Sequence, residues 1–159
     1  MELNEKYKIG YSGAMDMTSL EGKMIWSAFQ ALMGANAVVV TLVGAAMKVY
    51  QEEEWLPRVM VLFGICVCII WFLTLTRQFS YYRYWIAWAR ELERQSLAPQ
   101  IEMFGKGKEY GEGSGVNLGG QDLRMSWFGR VFRVQWLMSV VIFMFLLLYI
   151  FELILSLTN

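Results

Sequence analysis

Two stretches of this chain, Trp26 to Met47 and Val59 to Thr76, carry no charged residue, and a third, Val134 to Leu157, carries only Glu152. A helix of about 20 apolar residues crosses roughly 30 Å of hydrocarbon at about 1.5 Å per residue. Backbone polar groups inside a bilayer must be satisfied internally, which helices do within one segment. The expected fold is therefore all-α: an integral membrane protein with three transmembrane helices. Hydrophobic residues make up 57% of the 159 positions, above the share of an ordinary soluble domain. The first 20 residues show no apolar core of a secretory signal, so membrane residence is assigned to the internal spans.

Composition narrows the chemistry. The formal net charge is zero, so no bulk field favours nucleic acid. There is no histidine, which removes the commonest general base and metal ligand. Cys66 and Cys68 lie two apart in an apolar run and point to different sides of a helix. They read as buried small hydrophobes, not as a disulfide or a metal pair. No nucleophile–base pair or metal set is visible, so no enzyme activity and no cofactor are assigned.

Taken in order, residues 1–17 are mixed and read as a flexible or peripheral arm. Thr18-Ser19-Leu20-Glu21 has capping-box spacing and sets a helix start near residue 18, with the first transmembrane helix over 18–47. Within it Gln30, Gly34, Ala37, Thr41, Gly44 and Ala45 share one face of small and polar residues. That composition allows close helix approach and marks a protein contact. The Phe29, Leu32, Val39 and Val43 side suits lipid or a neighbour. Gln30 and Asn36 read as packing glue, with a polar lining as the alternative. Lys48 to Arg58 is a short connection punctuated by Pro57, with Tyr50 and Trp55 as interfacial anchors. Glu52, Glu53 and Glu54 are either a cation-attracting rim or solvated surface.

The second helix is expected over 59–97. It crosses the membrane and, with no breaker before Pro99, continues as a long cytoplasmic helix reaching about 20–30 Å further. The alternative is a bend at Ser80 that lays the second half on the membrane surface. Tyr81, Trp85, Trp88 and Leu92 form an apolar stripe along it. Glu91 and Glu93 face different sides of the helix and make no catalytic pair. Residues 98–120 are Gly-rich and read as a cytoplasmic loop, since the order of a phosphate-binding loop is absent. Residues 121–133 read as an amphipathic helix, with Arg124, Arg130 and Arg133 reaching lipid headgroups. The third span covers 134–157. Its Glu152 either snorkels to the interface, pairs between subunits, or lines a pore.

Of 14 basic residues, only Lys48 and Arg58 fall on the side of the short connection. The rest lie in the N-terminal region or between Arg77 and Arg133, which puts the N-terminus and large loop in the cytoplasm and the C-terminus outside. Two spans, a helix running on as YYRYWIAWARELE, and a third span resemble the small bacterial inner-membrane proteins grouped as RipA-like octameric membrane proteins. The likeness lies in architecture and in Trp71 to Glu93. It implies a cyclic homo-oligomer, possibly an octamer, in the cytoplasmic membrane, and carries over no catalytic or ligand residue. The expected function is a ring-forming pore or membrane scaffold, with Glu152 and Glu52 to Glu54 as a pore rim. Gly34, Ala37, Thr41, Gly44, Trp85 and Trp88 are the expected oligomer interface. The alternative is a membrane-anchored adaptor that recruits a cytoplasmic protein partner of unknown identity.

Overall fold

The computed structural model describes residues 3–49, 55–97, 102–118 and 120–158. Helix α1 covers Leu3–Val49, α2 Trp55–Leu92, α3 Met103–Glu112, α4 Trp127–Val131 and α5 Val134–Thr158. Strands β1 (Val116–Leu118) and β2 (Gln121–Leu123) form an antiparallel hairpin, with Val116 opposite Leu123. A π-helical turn, Glu93–Leu97, follows α2. The chain divides into two compact units. A spanning unit holds Ile25–Arg77 and Gln135–Asn159, and a loop unit holds the N-terminal segment to Met24 and Gln78–Val134.

In the spanning unit each helix turns one seam inward. Ile25, Phe29, Asn36, Val43 and Ala46 are buried on α1, Val61, Cys68, Trp71 and Leu75 on α2, and Met138, Ile142 and Tyr149 on α5. Steps of three and four residues keep such a seam on one side of a helix. The rings of Phe29, Trp71 and Phe145 meet at a tilt across the three helices, with centroids 5.3 and 6.2 Å apart. Helices α1, α2 and α5 are each long and apolar enough to cross a membrane, as the three apolar runs require. Pro57 lies inside α2, not in a connection; in the first turn its missing N–H would have no intrahelical partner anyway. Cys68 is buried, but Cys66 is exposed, which corrects its reading as a core residue.

In the loop unit Tyr11 and Ala14 of α1 pack on Ala89, Leu92 and Leu97, with Tyr7 and Phe104 against them. This packing overturns the flexible arm: α1 begins at Leu3. Thr18 does not cap it but donates back to the Ala14 carbonyl at 2.8 Å, as hydroxyls do in helix interiors. Helix α2 passes Ser80 without interruption of its helical hydrogen bonding. The Gly-rich stretch contains α3 and β1, and the amphipathic helix expected over 121–133 is reduced to β2 and the five-residue α4. The all-α architecture thus carries one small hairpin. Gly113 (φ 87°) terminates α3 in the left-handed conformation that favours glycine.

Candidate assembly site

A buried carboxylate organises the loop unit. Glu93, 3% exposed, sits where α2 widens into the π-helical turn. Its Oε1 accepts the Tyr11 hydroxyl at 2.7 Å and the Phe104 N–H at 2.8 Å, and its Oε2 accepts the Gly105 N–H at 2.9 Å. Glu102, the N-cap residue of α3, makes no side-chain cap. Glu93 therefore supplies from another segment the acceptor that the first N–H groups of α3 need. Nearby, Arg90 Nε donates to the Phe104 carbonyl at 3.1 Å. A π-bulge shifts the register of the residues that follow it, and here it marks the turn that carries Glu93 to α3.

The Tyr11 hydroxyl is held protonated well above its ordinary range, first by burial and then by its hydrogen bond and charge repulsion with Glu93. A folded-state value raised above the unfolded one means stability that is intact below the ordinary Tyr value of 10.0. That stability is lost as pH rises beyond it. Amide exchange in α3 is thus expected to accelerate above pH 10 beyond the base-catalysed trend, and Tyr11→Phe to abolish the excess.

In the spanning unit a second polar knot ties the three helices. Asn36 is fully buried. Its Oδ1 accepts from the Cys68 thiol and the Tyr149 hydroxyl, both at 3.3 Å, and its Nδ2 donates to the Leu32 carbonyl at 2.9 Å. Asn36 is packing glue and not a lining. At the start of α2, Arg58 donates to the side chain and carbonyl of Ser156 on α5, at 3.1 and 2.9 Å.

The side of α1 that carries Phe29 and Val43, expected to meet lipid or a neighbour, is turned onto the chain's own helices. Phe29 needs the Trp71 ring and Asn36 needs its two donors. Gly34, Ala37, Thr41 and Gly44 are instead exposed. A Cβ at Gly34 or Gly44 would meet nothing within 4 Å, and the Thr41 hydroxyl is occupied by the Ala37 carbonyl. The aromatic stripe of α2 splits. Leu92 is buried in the loop-unit core, Trp85 is half-buried against Tyr84, and Tyr81 and Trp88 are exposed.

Glu152 is half-buried, on the side of α5 that also carries Tyr149 and Ser156, and has no hydrogen bond or ion pair among the described residues. Glu52, Glu53 and Glu54 lie outside the described residues. Arg124 approaches Asp122 at 3.5 Å. The Arg130 side chain lies against Gly113, at the C-terminus of α3 where positive charge is favoured. Arg133 is exposed. Among the described residues no group of three or more potential ligands could hold a metal.

Three apolar helices with inward seams, joined to a folded polar unit, fit one family. A family model described as the octameric membrane protein family (8xMP) matches residues 8–158. The chain belongs to the octameric membrane protein family. No curated protein and no solved structure matches it. Membership makes this a self-associating membrane protein, so exposed faces without a partner in the protomer acquire meaning as contacts. The Glu93 node was missed in sequence because its ligands are distant in the chain. The Tyr7, Tyr11, Ala14, Thr18 spacing was the available signal that the N-terminal segment is helical.

Proposed function

We propose that this octameric-family protein is a membrane scaffold: a closed ring that holds one folded loop unit per subunit at the cytoplasmic face of a bacterial inner membrane. The observation that carries this reading is the outward side of α1. Ser27, Gln30, Gly34, Ala37, Thr41 and Gly44 repeat at steps of three and four, and all six are exposed. They follow the inward seam by one to two residues, which at about 100° per residue sets them roughly 150° away. The outward side of α5 is Leu137, Val140, Phe143, Met144, Leu147 and Phe151, large side chains suited to lipid. Small and polar residues on α1 suit another helix instead. With a seam on each side, α1 joins its own bundle to a second copy, and exposed Trp88 is a candidate contact of the loop unit. The basic-residue asymmetry supports the cytoplasmic placement of the loop unit.

Ala37→Leu is expected to shift the ring towards smaller species in native mass measurement while helicity and melting of the protomer are kept, because its side chain faces open space. An unchanged oligomer mass would overturn the role of α1. A scaffold passes no ions after reconstitution into planar bilayers. The pore reading has one observation in its favour, the carboxylate of Glu152 in a span without a partner among the described residues. It requires a cation conductance that Glu152→Gln reduces.

A further inference from the structure

In the spanning unit α2, like α1, has two seams. Val61, Gly64, Cys68, Trp71 and Leu75 are buried. Two residues further on at each step, about 200° round the helix, stand Phe63, Cys66, Ile70, Leu73 and Arg77, all exposed. This outward side is built of large residues except at Cys66. The outward side of α1 is the reverse, with gaps at Gly34 and Gly44 where a Cβ would meet nothing within 4 Å. Both sides advance by alternate steps of three and four, the spacing that lets side chains of one helix enter gaps on another.

The two outward sides are also matched in depth. Within the protomer α1 and α2 run antiparallel, with the Phe29 and Trp71 rings 5.3 Å apart and the Cys68 thiol donating to Asn36 at 3.3 Å. Taking that hydrogen bond as one level, Gly34 and Ile70 each lie two residues to one side of it, and Thr41 and Phe63 each five residues to the other. Ser27 and Arg77 are each nine residues away on the side of Gly34. Ala37 and Cys66 are one and two residues away on the side of Thr41, about 2 Å apart in depth. In a ring whose axis is the membrane normal, rotation from one copy to the next leaves depth unchanged. Residues level within one copy are therefore level between copies.

We infer that the outward side of α1 packs on the outward side of α2 of the next copy, with Ile70 entering the gap at Gly34 and Cys66 set against Ala37. This rests on the ring reading above. A closed ring pairs two different surfaces of the chain at every contact, so the small-residue side of α1 needs a counterpart other than a second α1. Helix α5 is the competing counterpart. From Leu137 to Leu157 every exposed residue of α5 is apolar. Helix α2 instead exposes Thr76 and Arg77, at the level of Ser27 and Gln30. Gln30 makes no hydrogen bond among the described residues, and an amide facing hydrocarbon without a partner is costly. Polar groups on α2 meet that need, and the surface of α5 does not.

The test is oxidative crosslinking of the full chain in native membranes with copper phenanthroline. The chain carries Ala37→Cys beside native Cys66, and native mass first establishes that the variant still forms the ring. Close packing brings the two Cα atoms within the roughly 7 Å that a disulfide spans. Each subunit then offers one thiol to each of its two neighbours. The expected product on a non-reducing gel is a ladder of two, three and more chains, lost in Cys66→Ser. Thr41→Cys with Phe63→Cys in the Cys66→Ser chain is expected to give the same ladder, and stands in where Ala37→Cys fails to assemble. A product that stops at two chains and survives Cys66→Ser sets α1 against α1. A ladder from Ala37→Cys with Ile150→Cys in the Cys66→Ser chain sets it against α5. Either result, or no product between chains from both α1–α2 thiol pairs, overturns the inference while leaving the ring intact. Absence of a ring in wild-type protein overturns instead the reading on which it rests.

Discussion

Replacing Glu93 with alanine is expected to melt α3 and leave the spanning helices in place. The carboxylate is 3% exposed and accepts three hydrogen bonds. Its removal strands the Tyr11 hydroxyl and two N–H groups of α3. Breaking a buried charged network of this kind costs about 3–5 kcal/mol. Glu93→Gln keeps the shape but turns an amide donor towards donors, and about 2–3 kcal/mol is expected. Helix α3 has little reserve. In ten residues it contains Gly105, Gly107 and Gly111, each about 1 kcal/mol worse than alanine in a helix interior. Amide exchange of Phe104 through Glu112 should therefore rise steeply in Glu93→Ala, while exchange in α5 stays at the wild-type rate. Gly111→Ala faces open space and should restore about 1 kcal/mol in the same background. Unaltered protection of α3 in Glu93→Ala would mean that Phe104 packing alone holds the helix.

This node explains which parts of the structure could be read from sequence. The three spans were legible because charge is excluded from hydrocarbon, a rule that acts locally and over many residues. The N-terminal half of α1 was not, because Tyr7, Tyr11 and Ala14 form a short stripe interrupted by Gly10 and Gly13. A short helix of modest propensity is held by what it packs on, here Ala89, Leu92 and Leu97. Residues 98–120 looked like linker by composition, since the acceptor that closes α3 comes from Glu93 and the contact that fixes Glu93 comes from Tyr11, 82 residues away. On α1 the difficulty was choice. Phe29, Asn36 and Val43 make one seam, Gly34, Ala37, Thr41 and Gly44 make another, and both have the same spacing. Only the positions of Trp71, Cys68 and Tyr149 decide which seam belongs to the protomer. Trp85 and Trp88 straddle the edge of the buried side of α2, so one stripe became two environments.

The second large effect is expected at Gly64. This glycine is buried on α2, and the ring of Tyr149 from α5 lies where a Cβ would have to go. The missing side chain lets the ring pass close to the α2 backbone, so that the Tyr149 hydroxyl reaches Asn36 of α1 at 3.3 Å. Gly64→Ala must displace the ring, adding overpacking of about 1–3 kcal/mol. It also breaks a hydrogen bond of the kind worth roughly 0.6 kcal/mol between membrane helices. Tyr149→Phe removes the hydroxyl alone and should cost only that smaller amount. The two variants thus separate the ring's volume from its bond. The indole of Trp71, two turns along α2 from Gly64 and packed between Phe29 and Phe145, reports the change by fluorescence during unfolding in mixed detergent. Gly64→Ala combined with Tyr149→Leu should recover part of the loss, because the smaller side chain vacates the site. If Gly64→Ala unfolds as readily as wild type and the double variant is worse than either, the close approach of α5 to α2 is not what places Tyr149. Asn36 would then have to hold the three helices together by itself.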